Sequence, residues 1–236
     1  MHSPIDSSSA TTPKPVSKCP FSRLLKRSQT GLADTLKERT KEAHTRAERH
    51  PLQARLVAGA LTREEYSGYL AQLLPVWTAL DAGLDGLAVR DSRVASMVQP
   101  YHRHAWRLVD DLAFLNHREQ RPVPATQRFL QVVADAASGS GIGLLGVWYV
   151  LEGSANGGRF IAKALSRGLG IVGPDGLKNF DPHGEHQRER WQAWRTALDA
   201  QAFSESERDA IVACASATFD AIYDVMVDLE SQRQPN

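Results

Sequence analysis

Residues 36–61 read LKERTKEAHTRAERHPLQARLVAGAL and contain the most informative helical pattern in the chain. Four apolar residues share a sector of about 60° on a helical wheel: Leu32, Leu36, Ala43 and Ala47. This narrow apolar stripe predicts a helix from about residue 32 to residue 49, with His44 at the edge of the stripe. The helix should end there because the residue before Pro51 disfavours the α conformation.

Lys37 lies on the same side of this predicted helix as His44, about 20° away on the wheel and roughly 10.5 Å away along the axis. A histidine beside an apolar groove, with an ammonium group two turns away, suits a flat apolar ligand that carries a metal and acidic arms, as haem does. A lone helical histidine is otherwise more often a residue at the boundary between core and solvent. Spacing alone leaves both interpretations open.

The composition is that of one globular domain with a substantial core: 236 residues, 42% hydrophobic and 23% charged. A net charge of +1 argues against a nucleic-acid-binding protein, which would carry a concentrated basic surface. We find neither an apolar run of bilayer length nor an apolar signal core, so we expect a cytoplasmic protein without a membrane partner. Two cysteines, Cys19 and Cys214, are too few for a disulfide framework or a thiolate cluster.

The predicted architecture is all-α. Residues 1–28 are rich in Ser, Thr and Pro and should form a disordered tail, because they bury too little apolar surface to offset ordering entropy. Residues 29–232 should form one domain, in which almost every segment has helical period and no convincing strand pattern occurs. Capping boxes at Thr62–Glu65 and Ser204–Glu207 open two of about seven helices. The predicted helices span residues 32–49, a segment from 62, 94–115, 125–136, 144–169, a segment around 188–195, and 204–229.

The predicted helix 144–169 contains the sequence EGSANGG at residues 152–158. Each glycine inside a helix costs roughly 1 kcal/mol relative to alanine, so a compensating gain is expected. Gly153 and Gly157 are four residues apart and clear one helix face, which lets a large flat ligand approach the backbone and also permits a kink. Close packing of two helices would explain the same pair, and both explanations remain open.

The sequence does not match the patterns of other common metal sites. A di-iron carboxylate centre in a bundle needs two Glu-x-x-His pairs, and no histidine here has a glutamate three residues before it. His183 and His186 have a spacing that could hold a metal, but no third ligand is evident, so we expect both on the surface. Cys214 is expected to be an inert core residue.

Three segments in order resemble the haem oxygenases, over about residues 32–229. They are LKERTKEAHTRAE at 36–48, LGVWYVLEGSANGGRFI at 145–161 and FDPHGEHQRERWQAWRTALD at 180–199. The first is similar to the family's proximal helix and the second to the glycine-kinked distal helix of bacterial members, especially those associated with bacteriophytochromes. The resemblance implies a haem-oxygenase-like helical bundle with a kinked distal helix.

The resemblance also implies roles for individual residues. His44 corresponds to the axial ligand of the haem iron. Gly153 and Gly157, together with Gly158, correspond to distal glycines that lie over the haem. Ser154 stands where mammalian members have an aspartate that organises distal water, and bacterial relatives with Glu-Gly-Ser also lack it. Asn156 either supplies part of the distal polar network or caps the kinked turn.

Basic residues are candidates for holding the haem propionates. Lys37 and Lys163 match positions whose side chains reach a propionate in family members. On the helix near the C-terminus, Arg188, Arg190 and Arg195 are further candidates, among which the sequence does not choose.

The activity implied is the oxidative cleavage of haem, both substrate and cofactor, to biliverdin, carbon monoxide and ferrous iron with O2 and external electrons. The electron donor would be a ferredoxin, a flavodoxin or a reductase, and a bacteriophytochrome would be a biliverdin acceptor. Ser154 and Asn156 leave open a non-catalytic haem or bilin carrier on the same fold. A metal-independent hydrolase or oxidase on this fold is a third hypothesis, and it predicts that added haemin gives no Soret band.

The segment Lys18-Cys19-Pro20-Phe21 resembles the haem regulatory motif, in which a cysteine thiolate binds ferric haem. An incidental exposed cysteine is the alternative, although exposure favours a reactive thiol over a structural one. If the motif is functional, Cys19→Ala should abolish the binding of a second haem, or the formation of a disulfide-linked dimer, without affecting catalysis. Haemin titration of both proteins tests this. Identical stoichiometry and spectra, with no such dimer under oxidising conditions, would contradict it.

Overall fold

The computed structural model describes residues 31–118 and 121–233, so the predicted tail and Cys19 lie outside the described residues. Within the described residues the chain forms ten α-helices, two 3-10 turns and no strand, which confirms the all-α prediction. The helices are α1 Leu32–Arg39, α2 Lys41–Glu48, α3 Pro51–Ala58, α4 Arg63–Arg90, α5 Ser92–Ala95, α6 Ala105–Phe114, α7 Pro124–Ala137, α8 Leu144–Leu169, α9 Gln187–Asp199 and α10 Glu205–Ser231. The 3-10 turns span Pro100–His102 and Gly184–His186.

The single helix predicted for residues 32–49 is divided at Thr40 into α1 and α2. The Thr40 hydroxyl donates a hydrogen bond of 2.8 Å to the Leu36 carbonyl oxygen, and the residue has φ −99° and ψ 0°. A side-chain hydroxyl that bonds back to the preceding turn competes with the helical ladder and bends it. The predicted end of this region is correct, since Pro51 opens α3 after the extended residue His50.

The prediction of one helix over residues 94–115 is wrong. Pro100 lacks a backbone N–H group and restricts the residue before it, so α5 ends at Ala95 and a 3-10 turn follows. The new helix α6 begins where the Asp81 carboxylate accepts hydrogen bonds of 2.9 Å from the backbone N–H groups of His104 and Ala105. A carboxylate at this position satisfies donors that a helix N-terminus leaves unpaired.

Local signals elsewhere predict the helix boundaries well. Both capping boxes are present: Thr62 with Glu65 opens α4, and Ser204 with Glu207 opens α10. The bounds of α8 are those predicted, and the helix continues without interruption through its glycines to Gly170, at φ 64°. The kink expected in this helix stays a prediction.

The core lies where α10 packs along α7 and α8, and where α4 packs against α6 and α7. Helix α4 contributes a row of buried apolar side chains to this core: Tyr66, Tyr69, Leu70, Leu73, Trp77, Leu80 and Leu84. Among the described residues one helix, α10, is long and apolar enough by composition to cross a membrane, with a mean hydropathy of 1.6. The packing of α10 along α7 and α8 accounts for this hydropathy, and its sequence contains no uninterrupted apolar run of bilayer length.

One face of α8 carries small residues that allow contact between backbones. An ideal Cβ atom at Gly146 would lie 2.0 Å from the Ile211 carbonyl oxygen of α10. At Gly168 it would lie 1.9 Å from the carbonyl oxygen of Gly59, which follows α3. These distances are far below van der Waals contact, so any side chain at these positions would force the elements apart.

We expect Gly146→Ala to lower the free energy of unfolding by about 1–3 kcal/mol, because the added methyl group must displace the α10 backbone. Gly86→Ala is the matched control. Gly86 is an exposed helical glycine with nothing within 4 Å of an added Cβ atom, so this change should stabilise the protein by up to about 1 kcal/mol. Urea unfolding of both variants measures the difference. Equal stability would show that α8 and α10 tolerate separation.

Candidate functional site

The small-residue face of α8 opens in the middle of the helix. At Gly157, which is exposed, an ideal Cβ atom would have no atom of the described residues within 4 Å, although Gly146 and Gly168 on either side are in tight backbone contact. At Gly153 it would lie 3.1 Å from the indole of Trp191, a half-buried residue of α9. Close packing therefore explains the outer glycines, whereas at Gly157 the backbone of α8 is left open.

The predicted ligand residue His44 lies on α2 with a half-exposed imidazole ring (53%). The ring makes an edge contact with Phe219 of α10, with centroids 5.4 Å apart. Its Nδ1 atom is 3.4 Å from a carboxylate oxygen of Glu48. A carboxylate on Nδ1 favours the tautomer protonated there and leaves the Nε2 lone pair for a metal. The role of Glu48 was missed at the sequence level, although its i, i+4 spacing from His44 is a usable signal.

Helix α10 lies between the two parts of this site. It contacts Gly146 of α8 through Ile211, and eight residues later it contacts His44 through Phe219. Helices α1 and α2 pack on α10, and neither packs extensively along α8. We use the name candidate cleft for the region that has His44 and Phe219 on one side and the open backbone at Gly157, with Trp191 near Gly153, on the other.

Two of the predicted basic residues lie at the edge where α1 meets α9. Arg195 forms an ion pair of 2.6 Å with Asp34, and the exposed Lys37 is one turn after Asp34. Tyr149 of α8 also lies here: burial raises the pKa of its hydroxyl, and the charge of Arg195 opposes this shift. Arg188 is exposed on α9, seven residues before Arg195 and so on the same side of that helix. Tyr149 was not predicted, and no sequence signal distinguished it.

The structure does not group Lys163 and Arg190 with these residues. Lys163 is about 15 Å beyond Gly153 along α8 and lines a separate cavity of about 400 Å³ together with Arg159 and Arg167. Arg190 points into the bundle, where its guanidinium lies over the ring of Tyr101 at 4.2 Å. Of the predicted propionate-binding residues, the fold places Lys37 and Arg195 best, with Arg188 on the same side.

Gly158 does not share the open face of Gly157. It is buried, and an ideal Cβ atom there would lie 2.1 Å from the Phe180 carbonyl oxygen. Gly158 therefore allows a loop to approach the back of α8, and the ligand-binding role implied by the resemblance stays a prediction.

The side chains of Ser154 and Asn156 bond to the backbone of their own helix. The Ser154 hydroxyl donates to the Leu151 carbonyl oxygen at 2.6 Å, and the Asn156 amide donates to that of Gly153 at 2.8 Å. Of the two roles considered for Asn156, this geometry favours capping of the glycine turn. Such bonds to the i−3 carbonyl also favour bending of a helix.

His183 is not on the surface, contrary to expectation, whereas His186 is. The His183 side chain is 1% exposed, and its Nε2 atom is 2.7 Å from the carboxylate of Glu152, which is itself 2% exposed. Burial is the largest single effect and raises the pKa of Glu152, but the hydrogen bond from His183 and the electrostatic interactions with His183, His102 and His104 together lower the pKa overall. Among the described residues no group of three or more His, Cys, Asp or Glu is placed to hold a metal ion.

Comparison with known proteins gives one consistent result. A family model described as "Heme oxygenase" matches residues 30–228. Heme oxygenase 1 of Pongo abelii is 27% identical over 198 residues, which are 80% of this chain and 68% of that relative. The heme oxygenase of Leptospira interrogans has a TM-score of 0.75 at 24% identity, covering 84% of this chain and 98% of its own. Heme oxygenase-2 of Synechocystis, solved in complex with heme and NO, has a TM-score of 0.78 at 22% identity and 86% coverage of each chain. The structural likenesses confirm the predicted fold.

Gly157→Leu should prevent haem from binding, because the new side chain would cover the open backbone of α8 against which the ring is expected to lie. The ligand-free protein should not lose stability, since leucine is the better helix former by close to 1 kcal/mol. Haemin titration followed at the Soret band, together with thermal unfolding, measures both effects. Gly86→Leu is the control and should bind haem like the wild type. Normal haem binding by Gly157→Leu would show that residue 157 does not face the ligand.

Proposed function

Because the chain belongs to the haem oxygenase family, we propose that it cleaves haem to biliverdin, carbon monoxide and ferrous iron, using O2 and external electrons. The observation that supports this most strongly is the open backbone at Gly157, in the middle of a helix face that is tightly packed at Gly146 and Gly168. A stretch of helix without side chains suits a flat ligand lying against the backbone.

The residues present fit a haem group. His44 would offer the Nε2 atom of its imidazole to the iron, with the Glu48 carboxylate 3.4 Å from its Nδ1 atom. When bound, haem supplies both the iron that activates oxygen and the macrocycle that is oxidised. The protein has to hold the iron from one face, orient the ring and control the access of water.

Each remaining residue of the cleft has a positioning task. Gly157 lets the α8 backbone approach the ring, because it places no side chain between them. Lys37 and Arg195 provide positive charge at the α1–α9 edge for the propionates, with Arg195 able to exchange its Asp34 partner for a ligand carboxylate. Phe219 and Trp191 supply apolar walls that exclude water from the sides.

A non-catalytic haem or bilin carrier is the second candidate, and one observation favours it. The hydroxyl of Ser154 and the amide of Asn156 are both bound to backbone carbonyl oxygens of α8, so neither is poised to deliver a proton to a ligand. Single-turnover spectra with a chemical or ferredoxin reductant separate the two candidates. Loss of haem absorbance with formation of biliverdin supports the oxygenase, and persistent haem absorbance supports the carrier.

Partners follow from the chemistry proposed. The electrons have to come from a ferredoxin, a flavodoxin or a reductase. The Glu-Gly-Ser sequence at residues 152–154, which resembles bacterial members, favours a bacteriophytochrome as one acceptor of the biliverdin.

His44→Ala should abolish normal turnover, because the iron loses its protein ligand. The fold should be kept at a cost of a few tenths to about 1 kcal/mol, since the side chain lies at a boundary and not inside the core. His186→Ala, which removes another exposed histidine, is the control and should behave as the wild type. Biliverdin formation at the wild-type rate by His44→Ala, without added imidazole, would rule out the ligand assignment.

A further inference from the structure

A short loop holds the glycine turn of α8 from behind. We call residues 180–183, with the sequence Phe-Asp-Pro-His, the brace. At one end His183 binds Glu152, the residue before Gly153, at 2.7 Å. At the other end the Phe180 carbonyl oxygen lies against Gly158, where any Cβ atom would be 2.1 Å away. The two contacts are six residues apart on α8, or about 9 Å, and they enclose the turn that faces the candidate cleft.

The brace is itself fixed to the opposite side of the bundle. Its neighbour Asn179 donates its backbone N–H group to the Asp111 carboxylate at 2.7 Å, and its side-chain oxygen lies 3.0 Å from Nε2 of His104. The ring of Phe180 stacks on those of two α4 tyrosines, and the Pro182 carbonyl oxygen accepts a hydrogen bond of 3.3 Å from Arg107. The position of the brace is therefore set by α4 and α6.

The protonation of His183 follows from its partners. Its Nδ1 atom is 3.0 Å from the guanidinium of Arg190, and a guanidinium can only donate hydrogen bonds. Nδ1 therefore accepts, and Nε2 carries the proton that is donated to the Glu152 carboxylate. The result is a guanidinium–imidazole–carboxylate chain in which the two full charges balance. Burial lowers the pKa of the neighbouring His102 and His104 to about 4, so neither adds charge to this chain at neutral pH.

The glycine turn needs such support. Gly153, Gly157 and Gly158 lower its helical propensity, and no atom in the described part of the chain lies within 4 Å of the Cβ position at Gly157 to hold it from the front. A charged hydrogen bond in a buried environment is strong and directional, so it fixes a backbone better than apolar contact alone. The contacts of the brace with Glu152 and Gly158 therefore determine how far the glycine turn extends into the candidate cleft.

We propose that Glu152 and His183 are positioning residues for the proposed reaction, and that the brace sets the distance between the glycine turn and the bound macrocycle. This distance determines how the ring is seated and which meso carbon is cleaved. The proposal rests on the proposed function, but the fixing of α8 is a property of the ligand-free protein.

The test compares Glu152→Leu, which removes the acceptor, with Glu152→Gln, which keeps an oxygen to accept from His183. The control is Glu189→Gln. Glu189 is also a glutamate paired with a histidine, His186, at 3.6 Å, but this pair is exposed to solvent. Amide hydrogen exchange of residues 153–158 is measured on the ligand-free proteins. The isomers of biliverdin, kcat and the Kd for haem are measured on the loaded ones.

Glu152→Leu should raise amide exchange in the turn by roughly tenfold, broaden the isomer distribution and lower kcat, with little change in the Kd for haem. Glu152→Gln should restore both the exchange and the isomer pattern, and Glu189→Gln should match the wild type. If Glu152→Leu does not fold, Gly158→Ala tests the second anchor and should give the same shift in isomers.

Three results would overturn the proposal: unchanged exchange in the turn, an unchanged isomer pattern, or a rise in exchange spread evenly over α8 and α10. A wild-type protein that forms no biliverdin would instead contradict the proposed function. In that case the exchange measurement on ligand-free protein still decides whether the brace fixes the turn.

Discussion

The approach of α8 to its neighbours through bare backbone determines the geometry of this protein. Gly146 lets α10 come close enough for its Ile211 carbonyl oxygen to lie where a side chain would otherwise be, and Gly168 does the same for Gly59. These two contacts fix both ends of one helix face. Because the ends are held at backbone distance, the middle of the face at Gly157 has a defined position even though no atom of residues 31–118 or 121–233 lies within 4 Å of the Cβ position there.

On the face of α8 that points away from the candidate cleft, the contacts are polar side chains instead of bare backbone. There Glu152 enters a buried network with His183 and Arg190, in which donors and acceptors alternate and the charges balance. Burying these groups costs free energy that is recovered only when each one is paired. The network therefore favours a single position of the helix. This matters for the candidate cleft, because the glycine turn that forms one side of it has low helical propensity.

Much of the fold was predictable because its signals are local. Thr62 with Glu65, Ser204 with Glu207, and Pro51 each fix a helix end through bonds or clashes within a few residues. The division at Thr40 was not predicted, since a threonine inside a helical pattern bonds back to the preceding turn only in some surroundings. The single helix predicted over residues 94–115 does not form. Its apolar periodicity continues past Pro100, but a proline has no backbone N–H group to donate and so interrupts the helix.

The sequence by itself determined the all-α class, the bounds of α8, the unusual glycines of that helix and the candidate role of His44. Each of these depends on residue type and on spacing along one element. Only the tertiary structure decided which glycine faces open space and which faces a backbone, since Gly157 and Gly158 are adjacent in sequence and point in different directions. It likewise decided that His183 is buried and His186 exposed, because burial depends on what packs against a residue and the partner Glu152 lies 31 residues away.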